Sequence, residues 1–165
     1  MTTPSPRVTP FLWYDGQAEE AARFYVSVFG KRSRLTSASP MSVTFELDGQ
    51  RFYALNGGPT FEFSEALSLM VECRDQKEID HFWKGLGQGG EPGRCGWLKD
   101  RWGLSWQVVP AALGGLLGGP DREGAQRAMT AMLGMGKLDL AKLQKAYAGP
   151  KARSRKSPRA ARSEP

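Results

Sequence analysis

The sequence predicts an α+β fold: two βαβββ modules that form an open curved barrel, followed by C-terminal helices. Three observations predict it. First, the chain repeats itself. Pro10-Phe11-Leu12-Trp13-Tyr14 leads into Asp15 and a helical stretch with Phe24-Tyr25 that ends at Gly30; Leu67-Ser68-Leu69-Met70-Val71 leads into Asp75 and a stretch with Phe82-Trp83 that ends near Gly87. Second, each copy continues in strand-like segments that turn at an aspartate, at Asp48-Gly49 and again from Asp100 to Gly103. Third, neither unit is large enough to hide its own apolar face, so the two must share a core. Helices then cover the outside, and the concave inside becomes a pocket for a small molecule.

Val8 to Tyr14 is rich in aromatics and β-formers and reads as a strand. Asp15 is a suitable N-cap for the following helix, with Glu19 and Glu20 at its positive end. Ala18, Ala21, Ala22, Tyr25 and Phe29 make one apolar stripe, and Gly30 ends the helix. Leu35 to Ser39 suggests a short strand. Met41 to Leu47 places Val43, Phe45 and Leu47 on one face, Asp48-Gly49 turns it, and Arg51 to Asn56 returns. The second unit opens with Ala66 to Cys73. Asp75-Gln76-Lys77-Glu78 is an Asp version of a capping box, and Ile79, Phe82, Trp83 and Leu86 form the helix face behind it. Gln88 to Gly96 is Gly-rich and loop-like, and Trp97 to Lys99 with Leu104 to Val109 make the final hairpin. Ala111 to Leu117 is a short helix weakened by glycine. Asp121 caps another, with Ala125, Ala128, Met129 and Met132 on one side, and Leu140, Leu143 and Tyr147 mark the last.

The expected organisation is a flexible lead-in over residues 1–7, one domain over 8–149 and a basic disordered tail over 150–165. Within the domain, the modules cover about 8–59 and 60–110, and the helices 111–149. Net charge is +6, but it is unevenly placed. Six of the 23 basic residues and one of the 17 acids lie after Pro150, leaving 17 and 16 in a nearly neutral body. No apolar run is long enough to span a membrane, and the first ten residues, with three prolines, do not resemble a signal peptide. The expected location is the cytoplasm, where Cys73 and Cys95 stay as thiols.

Several segments together resemble a known family: Thr9-Pro10-Phe11-Leu12-Trp13-Tyr14-Asp15-Gly16-Gln17-Ala18-Glu19-Glu20-Ala21 with Phe24-Tyr25, Phe45-Glu46-Leu47-Asp48-Gly49-Gln50, Ala54-Leu55-Asn56-Gly57-Gly58-Pro59, Cys95-Gly96-Trp97-Leu98-Lys99-Asp100 and Trp102 to Pro110. The chain is similar to the PhnB-like branch of the vicinal oxygen chelate (glyoxalase/bleomycin resistance/dioxygenase) superfamily. The resemblance implies paired βαβββ modules and a homodimer. Members of this branch often carry a demethylubiquinone methyltransferase label. The Gly-rich strand-to-helix turn that such chemistry uses is absent from this sequence, so methyl transfer is not expected.

The resemblance also implies where a metal would sit, held by His and Glu on inward strands to act as a Lewis acid. Gln107 stands where metal-dependent relatives place a Glu, and Asn56 stands near another acidic position. Amides without carboxylates or imidazoles hold cations weakly. His81, the one histidine, lies on the second helix and reads as structural. No metal and no cofactor are expected.

Strand alternation sorts the pocket residues. Ser105 and Gln107 share a face with Val109, and Trp106 lies on the other. Asn56 is expected to face the cavity with Ala54, while Tyr53 and Leu55 pack behind; Phe11 and Trp13 are candidate walls. The ligand-binding set is therefore Phe11, Trp13, Asn56, Ser105 and Gln107, and no catalytic residue is assigned. Cys95 lacks a nearby base for nucleophilic work. The first expected function is a small-molecule-binding protein of this branch without the usual metal centre. A glyoxalase/dioxygenase-type enzyme with an atypical metal site is an alternative. A third is a nucleic-acid-associated protein making weak, non-specific contact through its basic tail.

Overall fold

The computed structural model describes residues 7–150, so the lead-in before Arg7 and the basic tail after Pro150 lie outside the described residues. The first module runs β1 (Phe11–Tyr14), α1 (Ala18–Phe29), β2 (Arg34–Ala38), β3 (Ser42–Leu47) and β4 (Gln50–Asn56). Its sheet order is β1-β4-β3-β2, with β1 parallel to β4 and the other pairs antiparallel. The second module repeats this with β5 (Ser68–Cys73), α2 (Gln76–Leu86), β6 (Glu91–Pro92), β7 (Trp97–Lys99) and β8 (Ser105–Pro110), in the order β5-β8-β7-β6. Here β5 is parallel to β8. The duplication read from the sequence is a duplication of topology. The sheets are two separate ladders, and the fold is open rather than a closed barrel.

Local chemistry explains the elements. Val43, Phe45 and Leu47 are buried at every second position of β3, the signature of a half-buried strand. Asp48 and Gly49 both adopt positive φ (50° and 88°), as a two-residue type I′ hairpin requires. Asp75 caps α2 by accepting from Glu78 N–H, but Glu78 does not close the box on Asp75. Its carboxylate reaches one residue further and takes the Arg74 N–H and guanidinium. Ala18, Ala21 and Ala22 are fully buried, and their small side chains let α1 lie close on the first sheet.

The helix-facing sides of both sheets meet in one core. Leu12, Tyr14, Phe45 and Phe52 come from the first, Leu98, Trp106 and Val108 from the second, and Tyr25 and Ile79 from the helices. A smaller cluster of Val109, Leu138 and Leu143 anchors the C-terminal helices α3 (Leu113–Gly118), α4 (Arg122–Leu133) and α5 (Leu140–Ala148). These helices dock on the second module. Cys95 and Gly96 donate their N–H groups to Met135 and Gly136 carbonyls, and the Gln76 amide bonds Leu138 O and Leu140 N.

Two expectations are corrected here. Asp15 does not cap α1. The helix begins at Ala18 after Gly16 turns the chain at φ 85°, and the Ala18 N–H is taken by Asn56 Oδ1 at 2.8 Å. The facing of β4 is also inverted. Ala54 is buried and Tyr53 is partly exposed, because Ala54 pairs with Leu12 on one side and Val43 on the other, both core residues. Among the described residues, no helix is long and apolar enough to cross a membrane.

Candidate ligand-binding face

The strand face turned away from α1 and α2 carries most of the residues singled out above. On the second sheet, register places Met70, Gln107 and Trp97 in one cross-strand row. Ser68, Ser105, Lys99 and Glu91 form the next. The Gln107 side-chain NH₂ donates to Ser68 Oγ at 2.9 Å, which fixes the amide against β5. Ser105 is only 1% exposed, and its Oγ has no hydrogen-bond partner among the described residues. On the first sheet, Phe11 and Trp13 alternate with the buried Leu12 and Tyr14. Phe11 lies beside Tyr53, with ring centres 6.3 Å apart.

Trp13 is the best-held of these aromatics. Its indole N–H donates to Gly58 O at 2.8 Å, Phe61 meets its ring edge-on at 4.9 Å, and Gly57 lies flat against it where any Cβ would collide. The loop from Gly57 to Leu67 therefore folds over the end of β1. Beneath it a recess of about 450 Å³ joins the modules, with Trp13, Phe61, Phe63 and Trp102 as walls and Lys99 at its edge. A larger groove of about 570 Å³ opens elsewhere, against Phe52, Leu69 and Trp106, but none of the five expected site residues lines it.

Phe11, Trp13, Ser105 and Gln107 thus occupy the strand faces away from α1 and α2. Asn56 is separated from them. Both ends of its amide are bonded within the chain, Oδ1 to Ala18 N and the NH₂ to Pro40 O. Ser68 was not placed in the ligand-binding set, and Trp97 and Lys99 were missed by sequence reasoning. The alternation of Trp97 and Lys99 with buried Leu98 was visible, but the cross-strand register that makes the three one patch was not.

A polar centre inside the core was missed as well. Asp100 is 3% exposed and accepts four hydrogen bonds, from Tyr25 Oη (2.6 Å), Trp106 Nε1 (2.9 Å), Trp102 N (2.9 Å) and Leu104 N (3.1 Å). Burial pushes its carboxyl above the usual carboxylate range, while these donors pull it back. Burial also raises the phenols of Tyr14 and Tyr25, whose hydroxyls lie 3.0 Å apart. The sequence offered only an Asp-to-Gly turn at this position.

Among the described residues, no three His, Cys, Asp or Glu side chains gather as ligands. His81 is engaged elsewhere, its Nε2 2.8 Å from Val28 O, where it ties α2 to the end of α1. The oxygen donors on the strand face of the second sheet are a serine pair, an amide and the single carboxylate of Glu91, which do not fit a His/Glu centre.

The profile of the 3-demethylubiquinone-9 3-methyltransferase family matches residues 6–109, more than half of the chain. The chain belongs to the 3-demethylubiquinone-9 3-methyltransferase family. Among solved structures, it is similar to a putative 3-demethylubiquinone-9 3-methyltransferase, PhnB protein, from Bacillus cereus, with 32% identity and a TM-score of 0.57 over 63% of this chain and 99% of that one. Protein PA1353 from Pseudomonas aeruginosa is 18% identical, with a TM-score of 0.53 over 64% and 97% of the two chains, a likeness of fold. A glyoxalase-related enzyme from Fulvimarina pelagi is more distant, at 17% identity and a TM-score of 0.46 over 63% and 87%. No curated protein matches the chain. The PhnB-like character read from the sequence is thus established for this family member. Its helices beyond residue 109 lie outside the family match. The family name speaks of methyl transfer; the turn after β1 in this member is Asp15-Gly16-Gln17, with one glycine.

Proposed function

We propose that the protein binds a small molecule with an apolar body and a polar end on the strand face of its second sheet, and that a second copy closes that face. One observation carries this reading. Gln107 is half-buried and held by Ser68, so its amide is a fixed polar group in an otherwise apolar row with Met70 and Trp97. Pinned amides among aromatic and aliphatic walls are the usual means of orienting a small ligand. Exposed apolar residues support the second copy. Phe11 is 62% exposed and lies beside Tyr53, 38% exposed, and Met70 is 57% exposed; contiguous exposed apolar surface marks interaction sites.

Native mass spectrometry of freshly purified protein tests both parts. The expected result is a dimer mass with a small-molecule adduct that Gln107→Ala loses, and a monomer on Phe11→Asp. A stoichiometric divalent ion lost with Gln107→Ala would make the face a metal centre and overturn the reading.

A further inference from the structure

The second cross-strand row, Glu91-Lys99-Ser105-Ser68, has one cation and one buried hydroxyl without a partner. The two are direct cross-strand neighbours, so their Cβ atoms stand roughly 5 Å apart. Ser105 forms part of the floor of a recess of about 240 Å³, with Lys99 at its side and Trp97 and Pro92 as apolar wall. A buried hydroxyl with nothing to bond costs free energy, unless something entering the recess bonds it. Lys99 is already bonded to a carboxylate. Glu65, on the loop between the modules, places Oε1 2.6 Å from Lys99 Nζ. The same loop is held by Phe61 against Trp13 and by Phe63 edge-on to Tyr14 at 5.3 Å.

We propose that Lys99 and Ser105 bind the carboxylate of a small organic acid, and that Glu65 occupies the lysine as a built-in competitor until the acid displaces it. One carboxylate oxygen takes the ammonium, and the other takes the Ser105 hydroxyl proton as a hydrogen bond. The apolar body of the acid rests on Trp97 and Pro92. Charge selects a monoanion. Glu91 stays beside Lys99 after Glu65 leaves, so the row is neutral, and a dianion would meet net repulsion from that second carboxylate. The exchange costs little in charge terms, because one exposed carboxylate replaces another. This rests on the proposed ligand face and adds its polar end and its gate.

The test titrates the full chain with benzoate, benzamide and benzylamine by calorimetry. Benzoate binds and the other two do not. Glu65→Gln, at an exposed loop position, tightens benzoate several-fold by removing the competitor. Ser105→Ala weakens it about tenfold, the usual effect of one hydrogen bond to a charged group, while thermal stability does not fall. The proposal is overturned by benzoate affinity unchanged by Glu65→Gln, by benzoate affinity unchanged by Ser105→Ala, or by no benzoate binding to either wild type or Glu65→Gln. Benzamide binding as tightly as benzoate, with loss on Gln107→Ala, defeats the carboxylate site and leaves the ligand face standing. Preferred binding of benzylamine assigns the recess to Glu65 and Glu91 and overturns the proposal too.

Discussion

Tyr25 Oη donates to Asp100 Oδ2 at 2.6 Å, joining the helix of the first module to the hairpin of the second across 75 residues of chain. The same carboxylate oxygen takes Trp106 Nε1, and its other oxygen holds the turn through Trp102 N and Leu104 N. The modules are therefore joined by a buried acid that accepts from all sides, inside a cage of Tyr14, Tyr25, Trp102 and Trp106 rings.

Replacing Asp100 by Ala leaves those donors buried without an acceptor. Each orphan costs about 1–3 kcal/mol, and the loss should reach about 3 kcal/mol or more. Urea unfolding of wild type and variant measures it. A change below about 1 kcal/mol would remove Asp100 from this role.

Asn56 rather than Asp15 serves the start of α1. Asn56→Ala should cost about 1 kcal/mol, as the loss of a helix cap does, and Asp15→Ala much less. The reverse order in denaturant midpoints would restore Asp15 as the cap.

Gln76 is the clamp on the C-terminal helices, with its NH₂ on Leu138 O (3.1 Å) and Asp80 Oδ1 (3.1 Å) and its Oε1 taking Leu140 N (2.9 Å). Gln76→Ala should speed amide exchange over 135–148 and leave β3 and β8 protected. Uniform acceleration throughout the chain would show that the helices and the modules open as one unit.

The two thiols should differ. Cys73 is buried, and burial pushes its thiol from 9.0 up to about 12. Between those values the unfolded thiol has lost its proton and the native one has not, so the unfolded state binds fewer protons and stability falls as pH rises. Cys73→Ala should flatten part of that alkaline loss; Tyr14 and Tyr25, whose phenols are also raised, contribute to the remainder. At neutral pH a thiol reagent should label the half-buried Cys95 in the native protein and Cys73 only after unfolding. Rapid labelling of both in the native state would contradict this burial.

The site was only partly legible in the sequence. Alternation correctly set Phe11 and Trp13 against Leu12 and Tyr14, and Gln107 against Trp106. It failed at β4. Phe52, Tyr53, Ala54 and Leu55 are all apolar enough for either side, so their facing depends on which neighbours the register supplies. Small Ala54 is buried because α1, itself lined with alanines, lies close above the sheet.

By itself, the sequence determined the order of elements, the duplication and the α+β fold. Those follow from periodicity, turn residues and caps, which act over a few positions, as at Asp48-Gly49 and Asp75. The tertiary structure alone decided that Asp100 meets Tyr25, that Asn56 turns to Ala18, that Ser105 is buried without a partner and that Glu65 reaches Lys99. A polar group bonds whichever donor or acceptor the folded chain brings within about 3 Å, and these partners come from distant positions. Local pattern specifies which residues can face inward; only register and packing specify what each one meets there.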